Sequence, residues 1–259
     1  MGDVMRLSAC IEWLYAAEAA SFADRIWLAK KDGLKAVEFW TWRDKDLVQI
    51  EKAVQSAEME VSSILAEPTI SLTDISNRRF FLEGLKSSIE TAVRLGAPVL
   101  IVQAGAELLD ASREDQKTAL IDTLALSGEM LEGSAVRIGL EPLNTLVDHP
   151  GYFLSSTREA LDIVVATGRE EIGIVYDIYH SAVMDEDTQG VIGPDVGRVF
   201  HVHVADHPGR HEPGSGTIDL GKRLNWLALQ GYRGFVGLEY RPTGSTAESV
   251  RQCQRLPIE

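Results

Sequence analysis

The stretch Gly197–Asp206, G-R-V-F-H-V-H-V-A-D, decides the reading of the fold. It is a run of β-forming residues with histidines at i and i+2. Alternate residues of a strand share a face, so His201 and His203 are expected on one side and Phe200, Val202 and Val204 on the other. A strand that is apolar on its outer face and polar towards its C-terminal end suits a parallel barrel. There the outside meets helices and the C-terminal rim holds the chemistry. The same design recurs in three more places. Glu141 stands in R-I-G-L-E-P-L-N, Asp177 in I-G-I-V-Y-D-I-Y-H and Glu239 in F-V-G-L-E-Y-R-P, each at the end of an apolar run. Glu141 to Asp177 is 36 residues, Asp177 to His203 is 26 and His203 to Glu239 is 36, each about one strand-plus-helix unit. Four consecutive strands would then present Glu141, Asp177, His203 and Glu239 at one rim, and that set looks like a divalent-metal site.

Working outward, apolar runs alternate with helical segments along the whole length. Strands are expected over residues 7–13, 36–40, 60–67, 98–105, 137–144, 172–180, 199–206 and 235–242. Helices are expected over 44–58, 77–95, 112–131, 157–168, 220–230 and 246–256, with one capped near Ser21 and stopping near Gly33, and one within 185–196. Gly96 with Pro98 just beyond is a stop signal for the long helix before it. Eight βα units in succession predict an α/β fold, a single (β/α)8 TIM barrel, as one domain over residues 1–259. The longest irregular stretches, 143–156, 181–197 and 205–219, would cover the rim.

Composition narrows the partners. The chain has 259 residues, 45% hydrophobic and 25% charged, as in ordinary globular proteins. No apolar run approaches ~18 residues, so no transmembrane helix is expected. The N-terminus lacks the pattern of a signal peptide, and two widely separated cysteines, Cys10 and Cys253, fit a reducing cytoplasm. A net charge of −14 repels nucleic acid and anionic membranes. The expected partner is a small molecule; a homo-oligomer stays open.

One imidazole with three carboxylates is a hard, oxygen-rich donor set. It suits Mn²⁺, Mg²⁺ or Co²⁺ better than the thiolate-rich structural zinc sites. Gly139 and Gly237, two places before the glutamates, would leave space inside the barrel for a carboxylate and a ligand.

Glu141-Pro-Leu-Asn144, Asp177-Ile-Tyr-His180, His201-Val-His203, the loop D-H-P-G-R-H-E-P-G-S-G over 206–216, and Leu238-Glu239-Tyr240 carry a resemblance. They resemble the hydroxypyruvate isomerase branch of the xylose-isomerase-like TIM barrels. That superfamily also contains ketose 3-epimerases, inosose isomerases and dehydratases, and endonuclease IV. The resemblance covers nearly the whole chain and is strongest over residues 137–242. It implies one divalent cation held by Glu141, Asp177, His203 and Glu239, with Glu141 and Glu239 also moving protons. It implies further that His180 contacts a substrate oxygen and that Arg210 holds a negative substrate group.

The chemistry of such a donor set agrees. Aldose–ketose isomerisation and epimerisation remove a proton from a carbon beside a carbonyl, and the resulting enediolate is too basic to form readily in water. A divalent cation stabilises that charge while carboxylates shuttle the proton. Trp13 and Trp40 would wall the substrate or simply pack. Glu67 and Gln103 end strands and would support the site or touch the substrate. His201 is expected to be a buried, hydrogen-bonded histidine, and His207 and His211 to be solvated. Arg210 would pair with Glu212 or bind a carboxylate. The expected function is a metal-dependent isomerase or epimerase of a small sugar or hydroxy-keto acid. The alternatives are a dehydratase or lyase acting on a cyclic keto-polyol, an endonuclease IV-like repair enzyme and a barrel that binds sugar without turnover.

Overall fold

The computed structural model describes residues 4–258; residues 1–3 and 259 of the expected 1–259 span lie outside the described residues. Among the described residues, nine strands form one sheet: β1 Arg6–Cys10, β2 Ala36–Glu38, β3 Glu60–Val61, β4 Ser63–Leu65, β5 Val99–Gln103, β6 Arg137–Glu141, β7 Ile172–Asp177, β8 Val199–Val204 and β9 Phe235–Leu238. Their order is β3-β2-β1-β9-β8-β7-β6-β5-β4 and every pairing is parallel. Only Ser62 separates β3 from β4, so the two ends of that order meet and the sheet closes. The two short strands together act as one stave of an eight-stave barrel.

Helices follow the strands: α1 Phe22–Lys31, α2 Leu47–Ser56, α3 Arg78–Leu95, α4 Arg113–Leu131, α5 Thr157–Ala166, α6 Ile178–Val183, α7 Thr188–Ile192, α8 Leu220–Leu229 and α9 Thr246–Cys253. Their starts follow from local chemistry. Ser21, Asp46, Ser112, Ser156 and Asp219 each accept a hydrogen bond from a first-turn backbone N–H. The end of α3 is set by Gly96, which adopts φ 71°, the left-handed conformation that glycine enters without a Cβ penalty. α3 buries Phe81, Leu85, Ala92 and Leu95, a helical spacing that lays one stripe on the barrel. Each such large side chain contributes about 1.5–3 kcal/mol by burial.

The apolar interior falls into two parts. The main cluster joins the outward strand faces, including Val202 and Val204, to the helices. The second, Leu65, Val99, Ile101, Val175 and Phe200, lies inside the barrel below the rim. Phe200 was expected on the outer face with Val202 and Val204. The register between β7 and β8 slips here, from Ile174 opposite Val199 to Val175 opposite His201. Phe200 is the extra residue of that bulge, and the alternation breaks at it.

The strands end earlier than their apolar runs. The strand expected over 172–180 stops at Asp177, whose carboxylate accepts from the N–H groups of Tyr179 and His180 and starts α6 at once. His180 is therefore helical. The helix expected within 185–196 is the short α7 followed by a 3₁₀ turn over Gly193–Arg198. Cys10 and Cys253 are separate buried thiols.

Candidate metal centre and active site

Strand register assembles the centre. Glu141 ends β6, Asp177 ends β7, His203 is the penultimate residue of β8 and Glu239 follows β9 directly. Asp177 pairs with His203, and His203 with Gly237. Ligand atoms from Glu141, Asp177, His203 and Glu239 all lie within 4.8 Å of one another, and all four residues are buried. Gly237 makes the convergence possible. A Cβ there would come within 2.2 Å of Glu38 Oε1 and 2.6 Å of His203 Cδ2. The space at Gly139 serves instead to admit Val175, whose Cγ2 would be 2.7 Å from an added Cβ.

This donor set fits a divalent cation. Buried carboxylates this close repel one another unless positive charge compensates them. His203 Nδ1 faces the centre, 3.0 Å from Glu141 Oε1 and 3.6 Å from Glu239 Oε2. Its Nε2 lies 3.1 Å from Glu38 Oε1, close but poorly aligned as a hydrogen bond. A carboxylate behind an imidazole is the arrangement that orients metal-binding histidines. Glu38 is itself fixed. Its Oε2 accepts from Ser62 Oγ at 2.7 Å and lies 2.9 Å from His201 Nε2. His201 is thus the buried, hydrogen-bonded histidine expected of it, although Glu38, His201 and His203 also sit close enough to form a second donor group.

Charge is tightly coupled here. Burial opposes a positive His203, but the carboxylates of Glu239, Glu38 and Glu141 reverse that and hold its pKa well above the ordinary value. Burial raises the Glu141 carboxyl, with the nearby imidazole of His203 pulling the other way. Burial would lower the Arg210 guanidinium, yet Glu239 and Asp177 raise it. Arg210 Nη2 donates to Glu239 Oε2 and lies 3.4 Å from Asp177 Oδ2. The chain thus brings its own cation to two of the four expected ligands. The loop that delivers it is organised by the buried Asp206, whose carboxylate accepts from the N–H groups of His207, Gly214, Gly216 and Ile218. Glu212 does not pair with Arg210; it accepts from Thr243.

A cavity of about 380 Å³ opens above the centre and is lined in part by Trp13, Gln103, His180 and Arg210. Trp13 and Trp40 meet edge to face, ring centroids 5.1 Å apart, and form one wall. His180 is buried, and burial pushes its pKa well below the ordinary value, so its ring is neutral. Its Nδ1 accepts from the Asn144 backbone N–H at 3.1 Å, which leaves the proton on Nε2. Nε2 has no hydrogen-bond partner among the described residues and lies 3.5 Å from Asp177 Oδ2. It is an unpartnered, buried donor beside Asp177, on a residue that lines the cavity. A larger pocket of about 620 Å³ lies outside the barrel, between the α6–α7 segment and α8, and holds none of the four clustered residues.

Glu67 is not at the cavity. Its Oε2 accepts from the backbone N–H groups of Trp42 at 2.7 Å and Arg43 at 3.0 Å, so it braces the turn after Trp40 in place of the expected substrate contact. The sequence alone assigned no individual role to Glu38, Asn144, His149 or Arg241, and only an apolar one to Trp40. Glu38 carried a usable signal, since it ends the apolar run A-V-E just as the four expected ligands end theirs.

A family model described as Xylose isomerase-like TIM barrel matches residues 26–256. The chain belongs to the xylose isomerase-like TIM barrel family. The chain is 27% identical over 255 residues to hydroxypyruvate isomerase of Escherichia coli strain K12, covering 96% of this chain and 98% of that protein. It is 26% identical over 252 residues to 2-oxo-tetronate isomerase of Cupriavidus necator, covering 95% and 96%. Among solved structures, the protein described as AP endonuclease, family 2, from Brucella melitensis superposes with a TM-score of 0.90 at 25% identity, covering 96% of this chain and 98% of that one.

Proposed function

We propose that this protein, acting as one domain, is a divalent-metal-dependent isomerase of a small hydroxy-keto acid. The observation that carries the reading is the buried cluster of Glu141, Asp177, His203 and Glu239, with ligand atoms within 4.8 Å, beneath a cavity with a free imidazole donor. The similarity to hydroxypyruvate and 2-oxo-tetronate isomerases supports the substrate class.

A bound Mn²⁺, Mg²⁺ or Co²⁺ would supply the positive charge that stabilises an enediolate. The chain's residues do the rest. Glu141, at the end of β6, and Glu239, directly after β9, flank the centre from different sides and take and return the proton at neighbouring carbons. Burial raises the Glu141 carboxyl, which makes its carboxylate a stronger base than an exposed one. Trp40 holds Glu239 by an indole N–H donated to Oε1 at 2.7 Å. His180 Nε2–H donates to a substrate oxygen, and Gln103 and Trp13 confine the substrate. Arg210, which pairs with Glu239 and Asp177, would be free to hold a negative substrate group once those carboxylates held a metal. General acid–base help of this type accounts for roughly 10²–10⁴ in rate.

The test is proton NMR in D₂O with Mn²⁺ and a set of hydroxy-keto acids, ketoses and inososes. Hydroxypyruvate or a 2-oxo-tetronate should exchange the hydrogen beside its carbonyl and isomerise. Exchange followed by loss of water, seen only with inososes, would move the reading to a dehydratase. No exchange with any compound would end it. A nuclease reading finds little support, because a net charge of −14 and a carboxylate-rich centre oppose phosphate contacts.

A further inference from the structure

We propose that Arg241 forms a subsite for the substrate's carboxylate and sets the preference for acids over neutral ketoses, an inference that rests on the keto-acid reading above. Among the described residues, two guanidinium side chains line the cavity, Arg210 and Arg241. They differ in what holds them. Arg210 is buried and engaged by Glu239 and Asp177. Arg241 has no carboxylate at ion-pair distance among the described residues, and its guanidinium stacks on Trp13, with Cζ 4.8 Å from the ring centroid. Arg210 Cζ lies 4.9 Å from the same centroid, so one indole carries both guanidiniums.

The backbone of Arg241 is fixed although its side chain is exposed. Its N–H donates to Arg210 O at 2.9 Å, and its carbonyl oxygen is 2.8 Å from His211 Nδ1. Those two bonds tie it to the loop that Asp206 organises. A flat cation stacked on a fixed ring has little conformational freedom left to lose, and its outward N–H groups match a carboxylate in a bidentate contact. The charge balance also favours such a group. Glu141, Asp148 and Glu239 line the same cavity and repel an incoming carboxylate. A cation that is not already paired with them favours the entry of an acid.

The experiment uses full-length, Mn²⁺-loaded protein with hydroxypyruvate and its neutral counterpart dihydroxyacetone, and follows deuterium exchange. In Arg241→Ala and Arg241→Gln, KM for hydroxypyruvate should rise about 10–100-fold with kcat changed much less, and Arg241→Lys should recover part of the loss. The preference for the acid over the neutral ketose should fall by the same factor. Wild-type KM for hydroxypyruvate in both Arg241→Ala and Arg241→Gln would overturn the subsite and leave the keto-acid reading standing. A wild-type protein that exchanges dihydroxyacetone and no acid would overturn the keto-acid reading itself.

Discussion

Trp40 Nε1–H donates to Glu239 Oε1 at 2.7 Å, joining the turn after β2 to the end of β9 across the intervening β1. The indole is itself held, because its own backbone N–H donates to Glu12 Oε1 at 3.0 Å. One side chain thus serves both as cavity wall and as the group that aims a carboxylate. Trp40→Phe keeps the wall and removes the donor. A hydrogen bond to a charged group contributes about 1.5–3 kcal/mol, so proton exchange should slow about 10–100-fold. Circular dichroism should be unchanged. An unaltered exchange rate would show that Glu239 does not need this donor.

Glu141→Gln and Glu239→Gln separate ligand from base. Glutamine keeps the volume and one ligand oxygen but accepts no proton. Each variant should lose more than ~10²-fold in turnover, with a smaller loss of Mn²⁺ affinity measured by calorimetric titration. The pair also distinguishes mechanisms. If one glutamate serves each carbon, one variant still exchanges deuterium into substrate without isomerising it. Near-normal kcat in both metal-loaded variants would reduce the cluster to a structural site.

Glu38→Gln tests the carboxylate behind His203. Its Oε1 lies 3.1 Å from His203 Nε2 and its Oε2 accepts from Ser62, so the variant should lose about 10–100-fold in Mn²⁺ affinity. Metal should also stabilise the wild-type fold. At 100 times Kd the gain is about 2.7 kcal/mol, a rise in Tm of several degrees that chelation reverses. Wild-type affinity in Glu38→Gln would mean that packing alone orients His203.

His180 gives a pH dependence with a definite sign. Its pKa in the folded protein is depressed by burial, so the unfolded chain binds this proton more readily. The stability it contributes is complete above the unfolded value of about 6.5. It is lost at up to about 1.4 kcal/mol per pH unit as pH falls from there towards the folded value. In metal-free protein, Tm of His180→Gln should fall less steeply than wild type between about pH 6.5 and pH 4.5. Parallel curves would show that His180 is not held neutral.

The architecture was legible along the chain because strand and helix periods are local. Apolar runs, serine and aspartate caps and Gly96 marked the βα units. Their spacing placed Glu141, Asp177, His203 and Glu239 at successive strand ends, where the register brings them together. Which other side chains join them was decided by tertiary structure. Glu38 and Glu67 are both acids at or near strand ends, yet one backs His203 and the other braces a turn. The inward turn of Phe200 came from a register slip between two strands, which neither strand encodes alone. The tautomer of His180 depends on Asn144, 36 residues earlier, and the site of Arg210 depends on a loop wound around Asp206. Periodicity is set by each residue's own backbone. Hydrogen bonds and charge compensation depend on which distant groups the closed barrel places within about 3 Å.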